Sequence, residues 1–144
     1  MPPWAAREYG ISEPTVAPVT LVSELYVAAA RQTALNLSTI NYQTADADFQ
    51  RILDSSTGAF HDDLSKRSQP FKDVVRQAQS VSSGTVSGAG LESLDGTQAH
   101  VLVAVTVKTS NAGKPEQETR NWRMRISVDK VGQSYKASNV EFVP

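Results

Sequence analysis

The chain has 144 residues, enough for one domain that buries a sizeable core without covalent cross-links. Its hydrophobic fraction of 40% and charged fraction of 20% are ordinary for a globular protein. The formal net charge of −1 gives no field that would attract nucleic acid. The absence of cysteine excludes disulfides, zinc–thiolate sites and cysteine catalysis.

The N-terminal segment, residues 1–19, is predicted to be a leader or tether, because proline fixes its own φ and disfavours helix in the residue before it. Four of the seven prolines lie in this segment: Pro2, Pro3, Pro14 and Pro18. The sequence contains no apolar run of the ~20 residues that cross a bilayer and no secretory signal pattern at its start. We therefore expect residues 20–144 to form a single soluble domain.

Helical periodicity dominates the first half of this domain. A first helix is predicted at about residues 20–40, with Thr20 as its N-cap and a broad apolar stripe. The stripe consists of Leu21, Val22, Leu25, Tyr26, Ala28, Ala29, Leu35 and Ile40. A second helix is predicted from Ala45 to Asp54, with Thr44 as its cap. Its apolar positions are Phe49, Ile52 and Leu53.

A third helical region covers Ala59–Gln79. The positions predicted to face inward are Phe60, Leu64, Phe71, Val74, Val75 and Ala78. Pro70 would remove an internal hydrogen bond, and Ser68 could cap a new start. We therefore expect two short helices here rather than one long helix.

After Ser80 the apolar period changes from 3.6 to 2, which predicts β-strands. The first strand is rich in glycine, and Gly84, Gly88 and Gly90 predict bulges or a strong twist. It ends at Asp95-Gly96, a dipeptide typical of tight hairpin turns.

The next two strands share one apolar face only in a particular register. Val105 must lie opposite Trp122, and Val101 opposite Ile126, because a slip of one residue would turn one apolar row outward. This register leaves a loop of about eight residues around Ser110–Gln117.

A second hairpin is predicted at Val131-Gly132, followed by a strand that buries Tyr135 and Ala137. The apolar phase then shifts, which predicts a β-bulge near Ser138–Asn139. Helices followed by a four-stranded antiparallel meander predict an α+β fold, in which the N-terminal helices pack on one face of a curved sheet.

The sequence predicts no catalytic residue, no metal and no cofactor. His61 lies in His-Asp-Asp, whose side chains point about 100° apart on a helix, so we interpret it as a solvated helix start. His100 lies on the polar row of a strand. Asp46, Asp48 and Asp54 lack the alternating oxygen ligands of a calcium loop, and the first two are interpreted as charges that stabilise a helix start.

Three arginines are candidates for partner binding: Arg120, Arg123 and Arg125. They are predicted to project with Lys108 and Leu102 from the sheet face opposite the apolar row. One interpretation is a solvated face with cross-strand ion pairs. A second is a docking surface, since arginine suits interfaces better than lysine does. A third is a concave face that covers a pocket.

The segment Asn36–Phe60 resembles the Mce-associated membrane protein family, whose members are accessory subunits encoded with bacterial Mce (mammalian cell entry) lipid importers. The matching positions in that segment are Asn36, Thr39, Tyr42, Thr44, Asp46, Asp48, Gln50, Arg51, Leu53, Asp54, Thr57, Gly58 and Phe60. Further blocks lie at residues 65–71, 101–113, 122–128 and 138–144, so the similarity covers most of the chain from about Arg31.

The resemblance implies a nuclear-transport-factor-2-like (cystatin-like, cone-shaped) fold, similar also to the assembly component of type IV secretion systems. It implies a place on the extracytoplasmic side of the cell membrane, held by a transmembrane helix that precedes the domain in family members. We expect the proline-rich leader to be the tether of such an anchor, which is not part of this chain.

The function implied by the resemblance is that of a non-enzymatic accessory or scaffold subunit, supporting import of a lipid (a sterol or fatty acid). The implied partners are Mce importer proteins or their permease and other Mce-associated proteins, with a lipid as a further candidate and no nucleic acid. The alternative is a domain that binds a small hydrophobic ligand, or a steroid-isomerase-like enzyme, in the cup of the fold. Tyr26, Tyr42 and Asp46 are the candidate donors and acid for that chemistry.

Overall fold

The computed structural model describes residues 16–112 and 118–144, which form three helices and a four-stranded sheet. The helices are α1 (Val16–Ser38), α2 (Ala45–Asp54) and α3 (Gly58–Ala78), with a 3-10 turn at Tyr42–Thr44 before α2. The strands are β1 (Val81–Asp95), β2 (Gln98–Ser110), β3 (Glu118–Val131) and β4 (Ser134–Val143).

The strands form an antiparallel meander in the order β1-β2-β3-β4. Val105 lies opposite Trp122 and Val101 opposite Ile126, so the predicted register is confirmed. Both hairpins turn through glycines with positive φ, Gly96 at 63° and Gly132 at 61°, a conformation that glycine adopts without steric cost. The predicted α+β class, with helices packed on a four-stranded antiparallel sheet, is confirmed.

The bulge in β4 lies where the sequence predicts it, whereas in β1 one of two register shifts borders Gly88 and none lies at Gly84. In β4, Ala137 pairs with Val128 and Asn139 with Ser127, which leaves Ser138 as the extra residue. In β1 the register shifts between Val86 and Gly88 and again between Leu91 and Ser93. A bulge bends the strand that carries it and changes which side chains face the core.

α1 begins at Val16, earlier than predicted, so Thr20 lies inside the helix and the prediction of an N-cap there is wrong. The reason is that Pro18 falls in the first turn, where a backbone N–H has no partner within the helix and its loss costs no helical hydrogen bond. Residues 1–15 of the predicted leader lie outside the described residues.

α3 is one continuous helix that contains Pro70, so the prediction of two short helices is wrong. Leu64 before the proline and Val75 after it pack against the same apolar cluster, which holds both halves on one axis. Phe71 and Val74 are 54% and 63% exposed and are not inward as predicted.

Two apolar clusters hold the helices in place. In the main cluster α1 lies across the sheet and contributes Tyr26, Ala30 and Ala34, which are buried against the valine row of β2 and against Met124, Ile126 and Val128 of β3. The second cluster joins the end of α1 to α2 and α3 through Ile40, Phe49, Ile52 and Val75. The small side chains of α1 allow a close approach to the sheet.

The segment between α1 and α3 also covers both edges of the sheet. Ile40 and Ser82 exchange backbone hydrogen bonds of 3.1 and 2.8 Å at the β1 edge. At the β4 edge the Ala137 N–H donates to the Ser55 carbonyl and the Thr57 N–H to the Ala137 carbonyl, both at 2.8 Å. Paired edges do not present free backbone groups to other chains.

Candidate interaction surfaces

The sheet face turned away from the helices carries two of the three predicted partner-binding arginines. Arg123 lies opposite Ala104 and Arg125 opposite Leu102, and directly opposed residues project from the same face. Leu102 and Lys108 are exposed on this face, as predicted.

Arg120 does not belong to that surface. It lies opposite Val107, which is buried, and therefore projects on the helix side of the sheet in the same row as Trp122. Its guanidinium pairs with Glu118 at 3.1 Å near the start of β3, where the row runs into solvent. The prediction that the three arginines share a face is therefore wrong for Arg120.

Carboxylates of two other strands, β1 and β4, hold Arg125 on this face of the sheet. Its Nε and NH2 donate to the two oxygens of Glu92 on β1, at 2.8 and 3.1 Å, and NH1 donates to Glu141 on β4 at 2.9 Å. These hydrogen bonds raise the pKa of Arg125, and the bond from Arg125 lowers the pKa of Glu92 below its ordinary value. Arg125 therefore agrees with the first interpretation of this face, in which cross-strand ion pairs hold the arginines.

Arg123 is the arginine of this face with an unused charge. It is exposed, and within the described residues it forms no ion pair. It borders a shallow hollow of about 400 Å³ that is lined by the glycine-rich part of β1, by Leu102 and by the chain end at Pro144. We define Arg123, Leu102 and this hollow as the outer-face patch.

A second candidate surface is an apolar groove on the helix side, between α2, α3 and the ends of β3 and β4. Its volume is about 400 Å³, within the range of small-molecule sites. Its aromatic wall is formed by Phe49, Phe60, Phe71, Trp122 and Phe142. Asp63 and Arg67, 3.4 Å apart in an ion pair, supply the charged rim.

The aromatic wall depends on the bulge at Ser138. The bulge returns Phe142 to the row of Trp122, and the two rings meet edge to face with centroids 5.6 Å apart. Phe49 and Phe71 form a similar contact at 5.4 Å across the α2–α3 interface. Phe142 is nevertheless 64% exposed, so the groove opens to solvent there. The sequence predicts the bulge but not the groove that it creates.

The candidate acid–base residues do not converge. Tyr26 of α1 is buried against the sheet and meets Tyr135 edge to face at 5.0 Å, and burial is the main reason that its pKa is raised. Asp46 is 76% exposed and pairs with Lys72 and Arg76 of α3 at 3.0 and 2.8 Å. Neither these residues nor Tyr42 lines the groove.

The two histidines also lie apart from both surfaces. The His61 Nδ1 is 3.6 Å from the Asp62 carboxylate at the start of α3, and the His100 Nδ1 is 3.0 Å from the Ser93 hydroxyl. Within residues 16–112 and 118–144, no three acidic or histidine side chains are grouped so as to hold a metal ion. None of the described helices has the length and apolarity to cross a membrane.

Several solved structures have this fold at low sequence identity. The periplasmic domain of DotI superposes with a TM-score of 0.66 at 18% identity, over 94% of this chain and 99% of that one. An IcmL-like type IV secretion system protein from Legionella pneumophila gives 0.65 at 12%, over 92% and 95%. An Ntf2-like protein involved in plasmid conjugation gives 0.56 at 8%, over 85% and 49%. The fold is therefore nuclear-transport-factor-2-like.

Sequence comparison gives a nearer relationship. "Uncharacterized protein Rv1363c" of Mycobacterium tuberculosis (strain ATCC 25618 / H37Rv) is 40% identical over 119 residues, which cover 83% of this chain. The chain spans about half of that relative, since the match covers 46% of its length. The model of the family described as "Uncharacterized protein Rv1363c/MT1408-like" matches residues 20–144. The chain therefore belongs to the Rv1363c/MT1408-like family.

Proposed function

We propose that the protein is a non-enzymatic scaffold subunit on the extracytoplasmic side of the cell membrane, where it supports a bacterial Mce-type lipid import complex. The observation that carries the scaffold role is the separation of Tyr26, Tyr42 and Asp46, which leaves the groove without a convergent acid–base set among the described residues. The outer-face patch supplies a charged surface on which a partner subunit can dock.

Two kinds of likeness support the setting of this role. Solved structures of the same fold include the periplasmic domain of DotI and a type IV secretion system protein. The blocks at Asn36–Phe60 and at the C-terminus resemble Mce-associated proteins and are the reason for proposing lipid import in particular. The solved structures support the fold alone. The proposed link to an Mce complex rests on the sequence blocks.

A cross-linking pull-down from membranes tests the proposal, with the full-length protein that contains this chain as bait. We expect Mce proteins or their permease among the cross-linked partners. Recovery of none of these subunits, together with stoichiometric lipid in the purified domain, would contradict the scaffold role.

A charge reversal tests whether the partner subunit binds at the outer-face patch. Arg123→Glu should reduce the yield of cross-linked partner severalfold, because Arg123 is exposed beside the hollow and forms no ion pair with another described residue. Lys66→Glu is the matched control, since Lys66 is an exposed cation of α3 that lines neither surface. Equal yields from the two variants would exclude the patch as the docking site.

A second candidate function is passive binding of a small hydrophobic ligand in the groove. The supporting observation is the groove's volume of about 400 Å³ and its aromatic wall. Trp122 lies in that wall and can report on binding through its fluorescence, once the other tryptophan is replaced by the substitution Trp4→Phe.

Titration with a fatty acid and with a sterol distinguishes this candidate. We expect a saturable blue shift of Trp122 emission as the ligand displaces water from the indole. Phe142→Asp should weaken the apparent affinity about tenfold, because a ligand in the groove would displace water from the aspartate. Leu91→Asp, at an exposed leucine outside the groove, should leave it unchanged. A Trp122 signal that never saturates would rule out a defined site.

A further inference from the structure

α1 has two apolar faces, and the sheet covers one of them. Tyr26, Ala30 and Ala34 point into the core. At 100° per residue, the opposite side of the helix carries Leu21, Leu25, Ala28, Gln32 and Leu35. Leu21 and Leu25 are 61% and 47% exposed, Ala28 and Gln32 are exposed, and Leu35 is half-buried outside both apolar clusters. We call these five residues the α1 outer seam.

The spacing of the α1 outer seam is that of a helix-pairing surface. Its positions follow one another at intervals of four, three, four and three residues, which is the a/d repeat of a two-helix coiled coil. The seam is about 21 Å long at 1.5 Å per residue. The small Ala28 near its middle allows a second helix to approach closely.

The charges beside the seam specify which helix fits. Glu24 and Arg31 lie one heptad apart along the same flank, both exposed, and neither pairs with another described residue. In an antiparallel pair, Leu25 of one copy packs against Ala28 of the other, and equivalent flank positions face each other across the axis. Glu24 of each copy then meets Arg31 of the other. In a parallel pair these flank positions would face Ala29 and Asn36, with no charge complement.

We propose that the α1 outer seam is a self-association site, at which α1 of a second copy of this chain binds antiparallel about a two-fold axis between Leu25 and Ala28. The arrangement is isologous: the same patch of each copy binds the other, so association stops at a dimer. The seam is about four helical turns long. The area that it can bury is less than the roughly 800 Å² per partner of a standard interface. The expected dissociation constant is therefore about 10–500 µM.

Sedimentation velocity of the 144-residue chain at low salt, up to about 1 mM, measures the association. Leu25→Glu should weaken it at least about tenfold, and Leu91→Glu, a control at an exposed leucine of β1, should leave it unchanged. Glu24→Arg should weaken it about fivefold by setting like charges together, and Glu24→Arg combined with Arg31→Glu should restore it. A circular dichroism spectrum of each variant confirms that the fold is kept.

Disulfide trapping tests the direction of pairing, because the chain has no cysteine of its own. Copies carrying Leu21→Cys, mixed with copies carrying Gln32→Cys, should form a mixed disulfide far faster than either forms alone. These two positions lie opposite each other in the antiparallel pair, whereas two Leu21 positions lie about 16 Å apart along the axis. Efficient trapping of Leu21→Cys with itself would indicate a parallel pair and overturn the proposal. A chain that stays monomeric at every concentration would also overturn it, and shielding of its Leu25→Cys thiol from a water-soluble reagent would then indicate that residues 1–15 of the same chain cover the seam.

Discussion

At the scale of single residues, Asp48 shows how tertiary structure changes the role of a helix-start charge. Its side chain is buried, and its carboxylate accepts hydrogen bonds from the Asn41 N–H at 2.8 Å, the Thr44 hydroxyl at 3.0 Å and Arg51 at 2.7 Å. Thr44 makes no side-chain capping bond of its own. Asp48 therefore fastens the turn before α2 to the helix, a role that the sequence pattern did not predict.

Asp48→Ala should lower the free energy of unfolding by about 1–3 kcal/mol, because the partly buried N–H of Asn41 would lose its acceptor. Urea denaturation followed by circular dichroism measures this loss. Asp54→Ala is the control on the same helix, since among the described residues the Asp54 side chain bonds only to the exposed Gln50 amide. It should change the stability by less than about 0.5 kcal/mol. Equal losses in the two variants would contradict the assigned role.

Gly84 marks a close approach of α1 to the sheet. A Cβ at this position would lie 2.7 Å from the Cβ of Ser38, which is buried and bonded to the Ala34 carbonyl. Gly84→Ala should therefore force the end of α1 away from β1 and cost about 1–3 kcal/mol of stability. Gly90→Ala, in the same strand with open space around it, should be close to neutral in thermal unfolding. A neutral Gly84→Ala would refute the close contact.

At the scale of elements, ion pairs join α2 to α3. Lys72 and Arg76 of α3 both donate to Asp46 of α2, and the hydrogen bond from Lys72 is the main cause that lowers the pKa of Asp46 below its ordinary value. A carboxylate whose pKa is lowered by folding stabilises the native state above its unfolded pKa. That contribution is lost as the pH falls through the folded pKa.

Asp46→Asn should therefore destabilise the protein at neutral pH, and the difference from the unchanged chain should disappear as the pH falls below the lowered pKa of Asp46. Because Asp46 is largely exposed, high salt at neutral pH should also reduce the difference. Thermal unfolding across pH measures both effects. Asp73→Asn of α3 is the control, since within the part of the chain that the structure describes the Asp73 side chain bonds only to the Gln69 amide. A difference that persists at acid pH would contradict this explanation.

Some features of the helices and strands follow from apolar periodicity alone, and others do not. The bounds of α2, the central register and the bulge at Ser138 were predicted because each depends on a local pattern of apolar residues. The continuity of α3 through Pro70 was missed because packing on both sides of the proline offsets the lost hydrogen bond. Arg120 was placed on the wrong face, although its even number already sets it in the row of Trp122.

At the scale of the whole molecule, the segment between α1 and α3 forms backbone hydrogen bonds with both edge strands of the sheet. It therefore fixes the helices against the sheet at two places. The amides of Ser82 and Ala137 donate to Ile40 and Ser55 although they lie on edge strands. They should exchange with solvent nearly as slowly as the amide of Met124 in β3, because all three open only with the fold. Hydrogen exchange measured by NMR tests this, and free exchange at either edge would contradict it.

The sequence by itself determined the α+β class, the strand register and both hairpins, because these follow from backbone periodicity and from glycines at turns. The tertiary structure decided which apolar and charged residues remain available to partners. It buried Asp48, exposed Phe71 and Phe142 around the groove, and left most of the α1 outer seam exposed. The physical reason is that periodicity is set within one element, whereas burial depends on which distant elements lie over it.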